Sequence, residues 1–280
     1  RAIFMSKTLV IGGNGYIGTH MRLTYPEFLY AGRGDFDLRN KGEILNYCKA
    51  INISICIILS SKISYEKKVN FDNEPFSTNL IGLNNLLDVL QKINKDMKII
   101  YFSSMTVYSD KNTSPVLESS ELKPLHTYGL SKVYAESLIK YYDFRSLIIR
   151  IPGIYGGNRQ SGLIYNTINK LKKDEAMEID TENLGYWEIM HIDDMLYLFF
   201  ALMQQYTFKS KFDIFNISYG EKTDIIETVH FIANELSSNS KICIEKKYQD
   251  LYLSNQKISI FSQPLFSFNS RLKKYIREVG

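Results

Sequence analysis

Thr8–Leu9–Val10–Ile11–Gly12–Gly13–Asn14–Gly15–Tyr16–Ile17–Gly18 decides the fold of this chain. Its first four residues are apolar or β-branched without a break, the pattern of a parallel strand buried on both faces. Glycines follow at once, and Tyr16 to about Leu23 reads as a helix. Gly12 permits a tight turn, Gly15 lets a pyrophosphate approach the backbone, and Gly18 allows close helix–sheet packing. Free amides at the helix start attract phosphate. A dinucleotide is the expected ligand of such a turn, although ordinary glycine-rich turns look alike.

Outward from this turn, strands are expected at Phe28–Ala31, Ile53–Leu59, Lys98–Ser103, Leu147–Ile151 and Phe212–Ile217. Helices are expected at Gly42–Cys48, about Phe71–Ile93, Thr127–Tyr142, 162–173, 193–205 and Thr223–Leu236. Leu80, Leu83, Leu87 and Leu90 share one face of the long helix. Alternation of this kind predicts an α/β fold with a doubly wound parallel sheet of Rossmann type. Texture changes at Pro152–Gly153. Residues 5–155 are therefore taken as the dinucleotide-binding domain. Residues 156–280 are taken as a mixed segment that completes the sheet and forms a small C-terminal substrate-binding lobe.

The 280 residues are 45% apolar, enough for one large domain or one with an appendage. A net charge of +4 is small, and pairs such as Lys172–Lys173 and Lys273–Lys274 suit solvated faces, so nothing demands nucleic acid. Cys48, Cys56 and Cys243 are far apart and lack metal spacing, which predicts no metal and a reducing, cytoplasmic setting. No segment has the length of a membrane span or the form of a signal peptide.

After the second strand comes Gly32–Arg33–Gly34–Asp35–Phe36–Asp37–Leu38. The first charged side chain is Arg33, where NAD would want a carboxylate for its ribose. An arginine there can meet a 2′-phosphate, which leans towards NADP, or can simply be solvated. Asp37 could accept the adenine amino group.

Tyr128 and Lys132 stand at i and i+4 on one helical face. An ammonium beside a phenol favours the phenolate, so a proton can leave or arrive near neutral pH. Ser104, at the C-terminal end of the strand that begins at Lys98, can reach a substrate oxygen beside Tyr128. Thr106 can touch the sugar or support the loop. A dinucleotide turn plus a tyrosine proton handle reads as hydride-transfer chemistry on an alcohol or ketone.

Six segments together make the chain resemble the extended short-chain dehydrogenase/reductase family, and within it the nucleotide-sugar enzymes of the NAD-dependent epimerase/dehydratase group. They are Gly12–Gly18, Asp37–Leu38–Arg39, Ser103–Tyr108, Tyr128–Lys132, Arg150–Gly156 and His191–Asp194. The resemblance implies a catalytic set of Ser104, Tyr128 and Lys132. It implies cofactor contacts from Gly12, Asn14, Gly15, Tyr16, Ile17, Gly18, Asp37, Leu38, Leu59, Ser60, Ser61 and Asn79, with Pro152 and Ile154 near nicotinamide. Asn158 and Arg159 fall in the implied sugar pocket. Relatives often pair through two long helices, here about 71–93 and 127–142, so a homodimer is compatible, as is burial of those stripes within one subunit.

Departures narrow the subclass. Where 4,6-dehydratases of the family carry an acidic pair, this chain has Met105 and Thr106, which cannot serve elimination. Fucose-type epimerase-reductases carry Cys where Thr106 stands. UDP-galactose-type 4-epimerases usually have Asn at the position of Gly153 and an Arg near Trp187, both missing here. The first expectation is reduction of a nucleotide-activated 4-keto-sugar by NADPH or NADH, with Tyr128 as proton donor. The alternative is a nucleotide-sugar 4-epimerase with bound NAD. A third is a non-catalytic NAD(P)-binding sensor or scaffold, which the intact Ser104–Tyr128–Lys132 set argues against.

Other polar residues have two readings each. His191 could touch substrate or be structural, with Asp193 capping the helix that follows. Arg150 could meet a substrate phosphate or an internal carboxylate. Trp187 could be core or a platform for the base.

Overall fold

The computed structural model describes residues 7–63, 76–181, 187–245, 247, 249 and 251–279. In chain order its elements are β1 (Thr8–Ile11), α1 (Tyr16–Thr24), β2 (Leu29–Ala31), α2 (Lys41–Lys49) and β3 (Ile55–Ile58). A π-helical turn, Ser77–Gly82, then runs into α3 (Leu83–Ile93). Next come β4 (Lys98–Ser104), a 3-10 turn (Met105–Val107), α4 (Thr127–Tyr141), β5 (Arg145–Ile151) and β6 (Gly153–Tyr155). The last are α5 (Leu163–Leu171), β7 (Met177–Ile179), β8 (Ile189–His191), α6 (Ile192–Gln205), β9 (Phe212–Asn216), α7 (Ile225–Leu236), β10 (Ile242–Ile244) and α8 (Phe268–Val279).

Contacts divide the chain into two compact units. The first holds the described residues up to Ser109, together with Glu121–Arg150 and Met203–Phe215. Its sheet has six parallel strands in the order β2-β1-β3-β4-β5-β9. Val10 lies opposite Tyr30 on one side and Ile57 on the other, and Ile57 opposite Ile100. Every residue of β1 and β3 is buried, as their unbroken apolar sequences require. Leu9, Ile11, Cys56, Ile58, Ile99 and Tyr101 pack with Leu83, Leu86, Leu87 and Leu90 of α3 and Ile139 of α4. Each such side chain contributes about 1.5–3 kcal/mol of burial. Asn40 starts α2 one residue before the expected Gly42, because its Oδ1 accepts the Gly42 and Glu43 amides while its Nδ2 reaches Glu43. Of the helix expected over 71–93, residues 71–75 lie outside the described residues, and the described part opens with the π turn.

The second unit holds Asp110–Ser120, Ile151–Leu202 and the described residues from Asn216 onward. It contains two short parallel pairs, β6 with β8 and β7 with β10. Gly185 lies outside the described residues. The short strands of both pairs were not anticipated, and two helices also differ from expectation. Helix α6 begins at Ile192, and the Asp193 amide donates to Nδ1 of His191 at 3.2 Å, so an imidazole nitrogen rather than Asp193 supplies the cap. The reason is that β8 runs directly into the helix, which leaves Asp193 in its first turn. Helix α8 was not anticipated. Its Phe268, Leu272, Tyr275 and Ile276 are buried, and Arg271 turns inward to form two hydrogen bonds with Asp194. Among the described residues no helix is long and apolar enough to cross a membrane.

Candidate active site

The strand order reverses between β1 and β3, and the glycine turn leaves β1 there. Open α/β sheets bind ligands at such a point, beyond the C-terminal ends of the strands. The turn is pinned from both sides. Gly12 and Gly13 amides donate to Ala31 O at 2.9 Å, and Leu59 and Ser60 amides donate to Ile11 O at 2.9 and 3.1 Å. Gly12 has φ +89°, and a Cβ there would stand 2.7 Å from Ser60 N. A Cβ on Gly18 would stand 2.6 Å from Gly12 O, so α1 can approach the strand only through that glycine. At Gly15 an added Cβ would meet only Gly12 O, at 3.2 Å, and no side chain caps α1. A cradle closed by glycines and opening on the amides of a helix start fits the pyrophosphate of a nicotinamide dinucleotide. Tyr16 and Ile17 begin that helix.

Around the turn, Asn14 Oδ1 accepts from Arg22 at 3.4 Å, and the Arg22 guanidinium lies 4.7 Å over the Tyr30 ring. Arg33 is exposed. Both carboxylates of this loop are engaged. Asp35 accepts the Gly32 amide at 2.8 Å. Asp37 accepts Arg39 through its amide, Nε and Nη2, and the Arg39 hydrogen bonds hold its carboxyl down at about 2. Leu38 packs where a Cβ on Gly82 would lie, 2.8 Å away. Asn79, in the π turn, grips Lys62 at both backbone atoms (2.8 and 2.9 Å) and donates to Ser131 Oγ at 3.0 Å. It thus ties the exit of β3 to α4, between Tyr128 and Lys132.

Ser104 ends β4, and its Oγ accepts the Thr106 amide at 3.2 Å and the Thr106 hydroxyl at 3.0 Å. Tyr128 is half-buried in the first turn of α4. Lys132 is only 2% exposed. Its Nζ donates to Phe102 O at 2.8 Å and lies 4.5 Å from the Tyr101 ring centroid and 5.7 Å from that of Tyr128. Burial pushes its pKa down to about 7, against the raising influence of Glu136.

Arg150 is 1% exposed and grips Glu136 with Nε at 3.0 Å and Nη2 at 2.7 Å, while Nη1 donates to Tyr108 Oη at 2.8 Å. Of the two roles weighed for it, this contact is the internal one. Ser103 donates to the same carboxylate at 2.5 Å. The sequence reading missed Glu136, although it follows Lys132 by the same four residues that separate Lys132 from Tyr128.

The remaining candidates lie in the second unit. Pro152 is buried, and Ile154 pairs with Met190 between β6 and β8. Asn158 is exposed, and Arg159 donates to Ile154 O at 2.8 Å and Ser161 Oγ at 3.3 Å. Trp187 is nearly buried, and His191 packs edge-on against Tyr155 and Tyr275.

Residues 8–218 match the model of the NAD dependent epimerase/dehydratase family. The chain belongs to that family. As a member it is an NAD(P)-binding enzyme that modifies nucleotide sugars. A putative UDP-glucose 4-epimerase of Methanocaldococcus jannaschii is 25% identical over 264 residues, covering 85% of each chain. A dTDP-4-dehydro-6-deoxyglucose reductase of Escherichia coli is 29% identical over 199 residues, covering 66% of this chain and 60% of that protein. Among solved structures of this fold, a dTDP-4-dehydrorhamnose reductase from Clostridium acetobutylicum aligns with a TM-score of 0.81 at 17% identity, covering 98% of this chain and 99% of that one.

Proposed function

We propose that this family member interconverts nucleotide-activated sugars that differ at C4, with NAD bound in the glycine cradle. The observation that carries this is geometric: Lys132 is a buried amine one helical turn from Tyr128, with its Nζ 5.7 Å from the centroid of the Tyr128 ring. Epimerisation must take a proton from the C4 hydroxyl and return it within one turnover at one pH. A phenol coupled to such an amine can work in both directions. Similarity over 85% of the chain to a putative 4-epimerase supports the same choice.

When bound, the nicotinamide supplies reversible hydride acceptance at C4. Gly12, Gly15, Gly18 and the first amides of α1 hold the pyrophosphate. Tyr128 takes the hydroxyl proton as the carbonyl forms and gives it back when the alcohol is restored. Ser104 donates a hydrogen bond to the same oxygen, and Thr106 orients Ser104. Lys132 stabilises the phenolate. Met105 and Thr106 provide no carboxyl group for elimination, which disfavours dehydration.

A second reading, reduction of a 4-keto-sugar by NADPH, is favoured by Arg33 together with Arg22, and by Gly153 in place of asparagine. Arg33 lies in the loop after β2 and Arg22 on α1 beside Asn14, and guanidinium groups suit a 2′-phosphate. One experiment separates the readings. Nucleotide released from the purified protein by acid is identified. UDP-, dTDP-, GDP- and CDP-linked hexoses and their 4-keto derivatives are then assayed for interconversion and for NAD(P)H oxidation. Tightly held NAD with interconversion of stable sugars is the expected result. Stoichiometric NADPH oxidation on 4-keto-sugars without interconversion would sink the epimerase reading.

A further inference from the structure

Lys132 belongs to a buried charge cluster whose other members, Glu136 and Arg150, take part in no step above. Lys132 and Glu136 follow one another on α4, one turn apart. Both are 2% exposed, and Arg150 is 1% exposed. From α4, Lys132 is faced by Tyr128 and Glu136. From β4 it meets the Tyr101 ring and Phe102 O, and the adjoining Ser103 hydroxyl is spent on Glu136. From β5, Arg150 grips Glu136 and is itself braced by Tyr108. The cluster therefore holds two cations and one carboxylate.

The order of these groups matters. A forked guanidinium and a serine hydroxyl hold the carboxylate in one place and orientation. Its negative charge lies one helical turn from Lys132, and Arg150 engages both of its oxygens. Without that counter-charge, an ammonium with a backbone carbonyl and aromatic faces for company would lose its proton more readily. Burial already lowers the Lys132 pKa to about 7, and Glu136 opposes this shift.

We propose that Glu136, anchored by Arg150, is a positioning residue that keeps Lys132 charged and so sets the pH range over which Tyr128 moves its proton. This rests on Tyr128 as the proton-transfer group, whichever of the two reactions the enzyme runs. Glu136 touches neither substrate nor cofactor in this role, so activity alone is an insufficient readout.

The test titrates Lys132 directly. Protein carrying 13C at lysine Cε is followed by NMR from acid to alkaline pH, and the resonance missing from Lys132→Met is assigned to Lys132. Glu136→Gln is isosteric, and it lowers the Lys132 midpoint by about one pH unit or more. The matching limb of the kcat/KM profile moves with it. Arg150→Lys retains the anchoring charge and moves the midpoint by less than half as much. If Glu136→Gln does not fold, Glu136→Asp serves, with a smaller shift in the same direction. An unmoved midpoint in a folded Glu136 variant overturns the proposal and leaves Tyr128 untouched as the proton donor. A moved midpoint with full turnover in Tyr128→Phe overturns the role of Tyr128, and with it the pH-setting role of Glu136.

Discussion

Lys132 is one residue with two obligations. Spacing alone revealed that it shares a helical face with Tyr128. Its burial between β4 and α4 was invisible in the sequence, because burial depends on strands contributed from elsewhere in the chain. That burial has a consequence for stability. The unfolded chain holds the lysine proton up to the ordinary value of 10.5, whereas the folded protein releases it near 7. Between those values the unfolded state binds more protons, so this group makes stability rise with pH, by about 1.4 kcal/mol per pH unit at most. Urea denaturation at pH 7 and pH 9.5 should show that gain in the wild type and its loss in Lys132→Met. Tyr128→Phe keeps the ring and removes the proton. It should lower kcat by about 10²–10⁴-fold, with little change in melting temperature. Initial rates on the substrate found in the nucleotide-sugar screen check this.

At the scale of elements, α4 is positioned by contacts that its own sequence only half declares. Gly129 looks like a weak point in a helix. In the structure it is where α4 leans on the loop after β4, since a Cβ there would lie 2.2 Å from Thr106 O and 2.8 Å from Pro124 Cβ. A backbone oxygen cannot yield as a side chain can. Gly129→Ala should therefore shift the first turn of α4, cost about 1–3 kcal/mol and reduce kcat more than tenfold, read by thermal denaturation beside steady-state rates. Asn79 is similar. The family resemblance suggested it as a cofactor contact; what its sequence did not declare is that its carboxamide grips Lys62 and Ser131. The π turn around it falls where an unbroken helix was expected, because 3.6-residue periodicity cannot register one extra residue in a turn. Strand ends, by contrast, fell within a residue or two of their apolar runs.

For the whole molecule, the two units divide the chain discontinuously. Asp110–Ser120 belongs with the second unit, and β9 returns to the sheet of the first. The second unit carries a pH signature of opposite sign to that of Lys132. Glu188 is 2% exposed and accepts from the Ser218 hydroxyl and, at 2.7 Å, the Leu253 amide. Burial nonetheless pushes its pKa up to about 8 from the ordinary 4.5. Between those values the folded protein binds the extra proton, so stability from this group falls as pH rises from about 4.5 to about 8. Glu188→Gln should flatten that decline, which melting temperatures at pH 5 and pH 8.5 will show. From pH 7 to 8 the Glu188 and Lys132 effects oppose each other.

The sequence by itself determined the doubly wound sheet, the glycine cradle and the spacing of the tyrosine–lysine pair. Those features are local, for an apolar run, a missing Cβ and a four-residue interval mean the same wherever they occur. Only the tertiary structure decided that Arg150 serves Glu136, that His191 caps α6 and that α8 buries Arg271 against Asp194. A buried charge can choose a partner far away in sequence, and desolvation, which forces that choice, acts only once the surrounding elements have closed over it.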